Sequence, residues 1–102
     1  MPNLQAGTAI RLDNVEFVKG ASGSRKIIIT VRNTGSASAT IGTVYVNDAV
    51  VTVTGTKVIA TGTAEPLTYT YDWIKSTVYK IKVVTDNGFP AEASYTSPTS
   101  ET

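Results

Sequence analysis

The residues able to do chemistry are few, and their types narrow the options at once. The chain has 102 residues with no His and no Cys. Without His there is no Ser-His-Asp triad, and the commonest metal ligand is missing. Without Cys there is neither a thiolate nucleophile nor a disulfide. The acidic residues are Asp13, Glu16, Asp48, Glu65, Asp72, Asp86, Glu92 and Glu101. A glycosidase needs two carboxylates set across a cleft, and no spacing here singles out a pair. They read as solvated turn acids. Asp86-Asn87-Gly88 offers oxygen ligands to calcium, but a calcium loop needs several acids at fixed offsets. The tripeptide reads instead as a hairpin turn.

Lysine chemistry fares no better. Lys26 lies near Ser22 and Ser24, yet a Ser-Lys site needs a buried, neutral lysine. A Gly/Ser turn beside a strand end does not bury one. A Lys–Asn isopeptide needs a buried Lys opposite an Asn near the last strand. Lys80 and Lys82 read as outward-facing, and residues 91–97 contain no Asn. Lys75, Lys80 and Lys82, with Tyr69, Tyr71 and Trp73 nearby, resemble a stacking platform for single-stranded nucleic acid. However, the three aromatics share a face with Leu67, so core packing is the better reading. The lysines then form a solubilising face that discourages edge pairing. The expectation is a non-enzymatic protein with no catalytic residue, no cofactor and no metal.

Composition agrees. A net charge of +1 gives no field to draw nucleic acid or an anionic membrane. One residue in six is Thr, a β-branched residue suited to a pleated, solvated face. No apolar run reaches the roughly 18 residues that span a bilayer. No Asn-x-Ser/Thr acceptor occurs. Met1-Pro2-Asn3 reads as an added start on an excised fragment, with a natural start as the alternative.

The elements that must position these residues are strands. The chain is one domain by length, with a lead-in over 1–8, a folded body over 9–97 and a polar tail over 98–102. The strongest stretch is Lys26 to Asn47, read as two long strands joined into a hairpin at Asn33-Thr34-Gly35. Asn33 caps its own backbone there, and Gly35 supplies a positive φ. Ala9 to Val18 changes face at Asp13-Asn14, which predicts a bulge or a change of sheet. Ala49 to Thr54 reads as a strand that Gly55 interrupts and Lys57 to Ala60 continues. Thr61 to Pro66 is a turn. Leu67 to Trp73 alternates with the cleanest period of two, and Thr77 to Thr85 alternates again. Asp86-Asn87-Gly88 turns into a last strand, Ala91 to Ser97.

The pattern predicts an all-β fold, an immunoglobulin-like β-sandwich of seven to eight antiparallel strands. A small Greek-key barrel is the alternative. The predicted structural core is Ile27, Ile29, Val31, Val44, Val46, Trp73, Tyr79, Ile81 and Val83. Tyr79 lies two residues before Ile81, where immunoglobulin-like domains place a corner tyrosine that bonds loop backbone. An ordinary half-buried aromatic is the other reading.

The segments Ile28 to Ser36 (IITVRNTGS) and Ile41 to Asn47 (IGTVYVN) carry a family resemblance. So do Tyr71-Asp72-Trp73 and Tyr79 to Gly88. Together they resemble the immunoglobulin-like β-domain of archaeal type IV pilin-like proteins, archaellins and archaellum stator components among them. They also resemble CARDB-type adhesion-related domains. The resemblance covers most of residues 10–97. It implies a non-enzymatic extracellular structural or adhesion module of a cell-surface appendage or envelope. Its implied partners are other protein subunits or surface-layer protein, with no nucleic acid. The hydrophobic N-terminal helix of that family does not occur in this stretch. Membrane contact is therefore expected only through a segment outside it. A second reading is a carbohydrate-binding or accessory module using Tyr45, Tyr95 or Trp73.

Overall fold

The computed structural model describes residues 7–102. The expected lead-in therefore lies mostly outside the described residues. Nine strands occur among those described: β1 Ile10–Val18, β2 Lys26–Asn33, β3 Ala39–Val46, β4 Ala49–Val51, β5 Thr54–Gly55, β6 Val58–Ile59, β7 Ala64–Thr70, β8 Val78–Thr85 and β9 Pro90–Thr96. They form two antiparallel sheets packed as a sandwich. One sheet runs β1-β2-β7-β5, the other β4-β3-β8-β9, with β6 against the start of β3. No helix among the described residues is long and apolar enough to cross a membrane.

The long strands follow the period of two. In β2 and β8 every second side chain is buried and its neighbour is not. Alternation of this kind points one row inward from each sheet. Ile27, Ile29 and Val31 of β2 face across to Tyr79, Ile81 and Val83 of β8, and Val44 and Val46 of β3 join them. Leu67, Ile59 and Trp73 are also fully buried in this core.

Two expected features are corrected. Lys26 to Asn47 is not a hairpin: β2 pairs with β1 and β7, whereas β3 pairs with β4, β6 and β8. Asn33 to Ser38 instead carries the chain from one sheet to the other. Nor does Gly35 have a positive φ. Glycine is required there by close approach, because a Cβ would lie 2.2 Å from the Gly7 carbonyl oxygen and 2.7 Å from Ala9 N. Asn33 does cap the turn, with Gly35 N donating to its Oδ1 at 2.8 Å.

The strand count exceeds seven to eight because Ala49 to Ala60 is cut into three pieces. β4 belongs to the second sheet, β5 crosses to pair with β7, and β6 returns to β3. Gly55, at φ 131°, permits that excursion. β7 begins at Ala64, inside the expected turn, and takes in Pro66 opposite Thr30. Its end at Thr70 leaves Tyr71 to Thr77 as an irregular connection.

Local turn chemistry explains the true hairpins. Asn47 and Asp48 both have positive φ, at 52° and 67°, the requirement of the tight turn joining β3 to β4. Asp86-Asn87-Gly88 joins β8 to β9, with Gly88 at φ 92° and its N–H donating to the Thr85 carbonyl. In β1 the register shifts between Leu12 and Asn14, which places a bulge at Asp13, where the apolar spacing slips.

Tyr79 is a corner tyrosine. Ile74 N donates to its hydroxyl at 2.7 Å, five residues upstream, and the ring is buried. Tyr79→Phe removes the acceptor and leaves that N–H unpaired. We expect a loss of about 1–2 kcal/mol, read as a drop in Tm of about 4–8 °C per kcal/mol in a domain of this size.

Candidate functional site

Nine of the ionisable residues, Arg11, Asp13, Arg25, Arg32, Asp48, Asp72, Lys80, Glu92 and Glu101, are matched in opposite-charge groups. Asp13 sits on the β1 bulge between Arg11 and Arg32, which are register partners. Arg32 donates through Nε and Nη2 to the two carboxylate oxygens of Asp13, each at 3.2 Å, and Arg11 adds a bond at 3.3 Å. The Arg32 hydrogen bonds hold the Asp13 carboxyl below its ordinary value. Lys80 meets Asp48 at 2.8 Å and Glu92 at 3.8 Å. Exposed pairs of this kind contribute little stability. They do leave these acids engaged with bases rather than with each other.

A denser polar group closes one end of the sandwich. Asp72, on the β7–β8 connection, accepts from Gly23 N at 2.9 and 3.0 Å and from Ser22 Oγ at 3.1 Å. Arg25 donates to the Gly20 carbonyl at 3.1 Å and lies 3.9 Å from both Asp72 and Glu101. Glu101 accepts from Lys75 N at 3.0 Å, and its own carbonyl accepts from Gly20 N at 2.8 Å. The β1–β2 turn, the β7–β8 connection and residues 98–102 are thereby tied together. This geometry is that of a clasp, since every carboxylate oxygen in it faces backbone N–H, hydroxyl or guanidinium.

The clasp gives a pH dependence with a definite sign. The Gly23 backbone N–H, helped by Ser22 and Arg25, holds the Asp72 carboxyl below its ordinary 3.8, against the opposing effect of burial. A depressed folded value means stability that is present above the unfolded value and lost as pH falls through the folded one. We expect Asp72→Asn to flatten the acid limb of a stability–pH curve below about pH 4. Thermal melts at a series of pH values measure this.

The residues singled out for chemistry are not drawn together. Lys26, Ser22 and Ser24 are all exposed, so no buried lysine serves a serine. No group of three acidic, His or Cys side chains suited to a metal occurs among the described residues. The carbohydrate platform needs correction too. Trp73 is fully buried, and its indole N–H donates to the Val18 carbonyl at 3.0 Å. Tyr45 and Tyr95 are half-buried, and Lys82 Nζ lies 5.7 Å from the centre of the Tyr45 ring. Tyr71 does not join the core face: it is exposed and stacks on Tyr69 at 5.1 Å.

What remains open is a set of scattered apolar side chains and one shallow recess. Val50, Val58, Ile74 and Val78 are each more than half exposed. A recess of about 180 Å³ lies where the strand beside β3 is interrupted between β4 and β6, lined by Ile41 to Val44, Val50 to Val53 and Lys57. It has room for one side chain rather than for a substrate, since small-molecule sites run to roughly 300 Å³ and above. Nothing in the sequence points to this recess, because Ala49 to Ala60 reads as one strand interrupted at Gly55, whereas its pieces pair with different strands.

No family model and no curated protein matches the chain. Solved structures do. The archaellum periplasmic stator protein FlaG from Sulfolobus acidocaldarius superposes with a TM-score of 0.66 at 15% identity, over 86% of this chain and 99% of that one. The chain has the fold of archaellum β-domains. The archaeal flagellum of Methanospirillum hungatei strain JF1 matches with a TM-score of 0.69 at 17% identity, over 95% of this chain and 70% of that one. The stator complex of FlaF and FlaG from Sulfolobus acidocaldarius matches at 0.59 and 17% identity, over 84% and 87%. At these identities the likeness is one of fold.

Proposed function

We propose that the domain is a non-enzymatic structural module of an archaeal cell-surface appendage or envelope protein, working through protein–protein contacts. The observation that carries this reading is the sandwich itself, shared over nearly the whole length of a stator domain. The open surface supports it, because it consists of strand edges and scattered apolar side chains rather than a cleft. Asp13, Asp48, Asp72, Glu92 and Glu101 face bases, hydroxyls or backbone donors, which suits a scaffold. The finer reading places the domain outside the membrane, in the pseudo-periplasmic or extracellular envelope. Its proposed partners are sibling subunits or surface-layer protein, as in pilin-like and CARDB-type adhesion domains. A membrane would be met only through a segment beyond this stretch.

The test is binding of the purified domain to isolated surface layer and to appendage subunits of the source organism. Retention on either, released by competing free domain, is the expected result. Absence of association with both would sink the proposal.

A further inference from the structure

The edges of the two sheets differ in how well they are guarded. β4, β5 and β6 are only three, two and two residues long. β1 has nine residues, but the bulge at Asp13 breaks its regularity and Arg11, Asp13 and Glu16 charge it. Short, bulged and charged edges resist pairing with another chain. β9 has seven residues, pairs with β8 without a register shift, and carries one charge, Glu92.

The direction of its free backbone groups is fixed. Ser97 N donates to the Thr77 carbonyl at one end of the ladder, and Thr85 N to the Phe89 carbonyl at the other. The register between them is unbroken. By the alternation of antiparallel ladders, Tyr79–Tyr95, Ile81–Ala93 and Val83–Ala91 are the hydrogen-bonded pairs. The N–H and C=O groups of Glu92, Ser94 and Thr96 therefore point away from β8. Pro90 points the same way and has no N–H to leave unpaired. Among the described residues no strand hydrogen-bonds to β9 on that side; β1 of the other sheet lies alongside without pairing, and the side chains of all four residues are exposed on the outer face.

We infer that this edge pairs antiparallel with the same edge of a second copy, about a two-fold axis at Ser94. The inference deepens the subunit-contact reading above and rests on it. With Ser94 opposite Ser94 of the second copy, Glu92 falls opposite Thr96, and half-buried Tyr95 lies opposite Ala93. Every outward N–H of Glu92, Ser94 and Thr96 then meets an outward carbonyl. No like charges face each other, and Glu92 keeps Lys80 beside it at 3.8 Å. An axis at Glu92 would set two carboxylates opposite one another, which is unfavourable. A second copy fits better than a foreign strand, because it brings an equally free edge of complementary pattern. Self-complementary two-fold contacts are also the commonest among assemblies of identical chains.

Sedimentation equilibrium from micromolar to millimolar concentration tests this directly. A monomer–dimer equilibrium is expected. Ser94→Pro removes the two N–H donors at the axis but none of the ladder to β8, so it should fold and weaken the dimer at least about tenfold. Ser94→Lys should weaken it similarly by placing like charges at the axis, and it carries the test if the proline variant unfolds. Because the chain has no Cys, Ser94→Cys should cross-link on oxidation while Thr54→Cys on β5 should not. A domain that stays monomeric at millimolar concentration overturns the inference, as does a dimer indifferent to both Ser94 variants. If such a monomer still binds appendage subunits, the self-pairing alone has failed. If it binds none, the subunit-contact reading fails with it.

Discussion

Asn33→Ala is expected to destabilise the domain by about 3–5 kcal/mol, among the largest losses available to any polar residue in it. Asn33 is fully buried. Its Nδ2 donates to the carbonyls of Ile59 at 2.9 Å and Ala37 at 2.8 Å, and its Oδ1 accepts from Gly35 N at 2.8 Å. Its backbone also exchanges bonds with Thr63 and Gly62. Asn33 thus ties the β2–β3 crossover to β6 through its side chain and to the β6–β7 connection through its backbone. Alanine leaves two carbonyls and one N–H without partners, at about 1–3 kcal/mol for each that stays dry. A domain of this size has about 5–15 kcal/mol in all. Urea unfolding followed by Trp73 fluorescence gives the difference.

Asn33→Asp sharpens the point. It keeps the acceptor for Gly35 but turns the donor toward Ile59 and Ala37 into a second acceptor. A buried carboxylate facing two carbonyls has its pKa raised above the unfolded value. Its folded form binds more protons, so this variant should become relatively more stable as pH falls. The slope is opposite to that expected for Asp72 in the unmodified chain. Parallel denaturation series at neutral and mildly acidic pH distinguish the two.

The parts of the fold legible in the sequence were those governed by one strand at a time. Ile27, Ile29 and Val31, and Tyr79, Ile81 and Val83, recur at a period of two because each strand shows one face to a core. The slip at Asp13 is likewise a local break in period. Asp86-Asn87-Gly88 states its turn in its own residue types. The choice of partner strand is not local. Asn33-Thr34-Gly35 suits a hairpin and a crossover equally, because the Asx cap forms in both. What decides is Ile59, 26 residues on, whose carbonyl takes the second Asn33 donor. The anchorage of Trp73, though not its place in the core, escaped for a similar reason. Trp73 continues the alternation of Leu67 and Tyr69, yet it lies beyond the end of β7, and its partner is the Val18 carbonyl 55 residues away. The clasp of Arg25, Asp72 and Glu101 joins three connections, and no spacing rule links them.

Trp73→Ala is expected to cost about 4–5 kcal/mol. The indole is the largest fully buried side chain. Its ring meets Phe17 edge-on, with centroids 5.5 Å apart at 72°, and Phe17 in turn packs against Tyr79 at 5.8 Å. Truncation removes that packing and opens a cavity that the two sheets cannot close without breaking ladders. It also strips the Val18 carbonyl of its donor. Trp73→Phe separates these effects: most of the volume stays and the N–H goes, so its cost should be less than half as large. Both variants should lose hydrogen-exchange protection first at the Val18 end of β1 and around Tyr71, whose carbonyl accepts from Trp73 N at 2.9 Å. The β8–β9 ladder, held by its own unbroken register, should keep its protection longest. If exchange in β9 rises as early as in β1, the two sheets share one opening unit, and Trp73 pins the whole sandwich rather than its closed end.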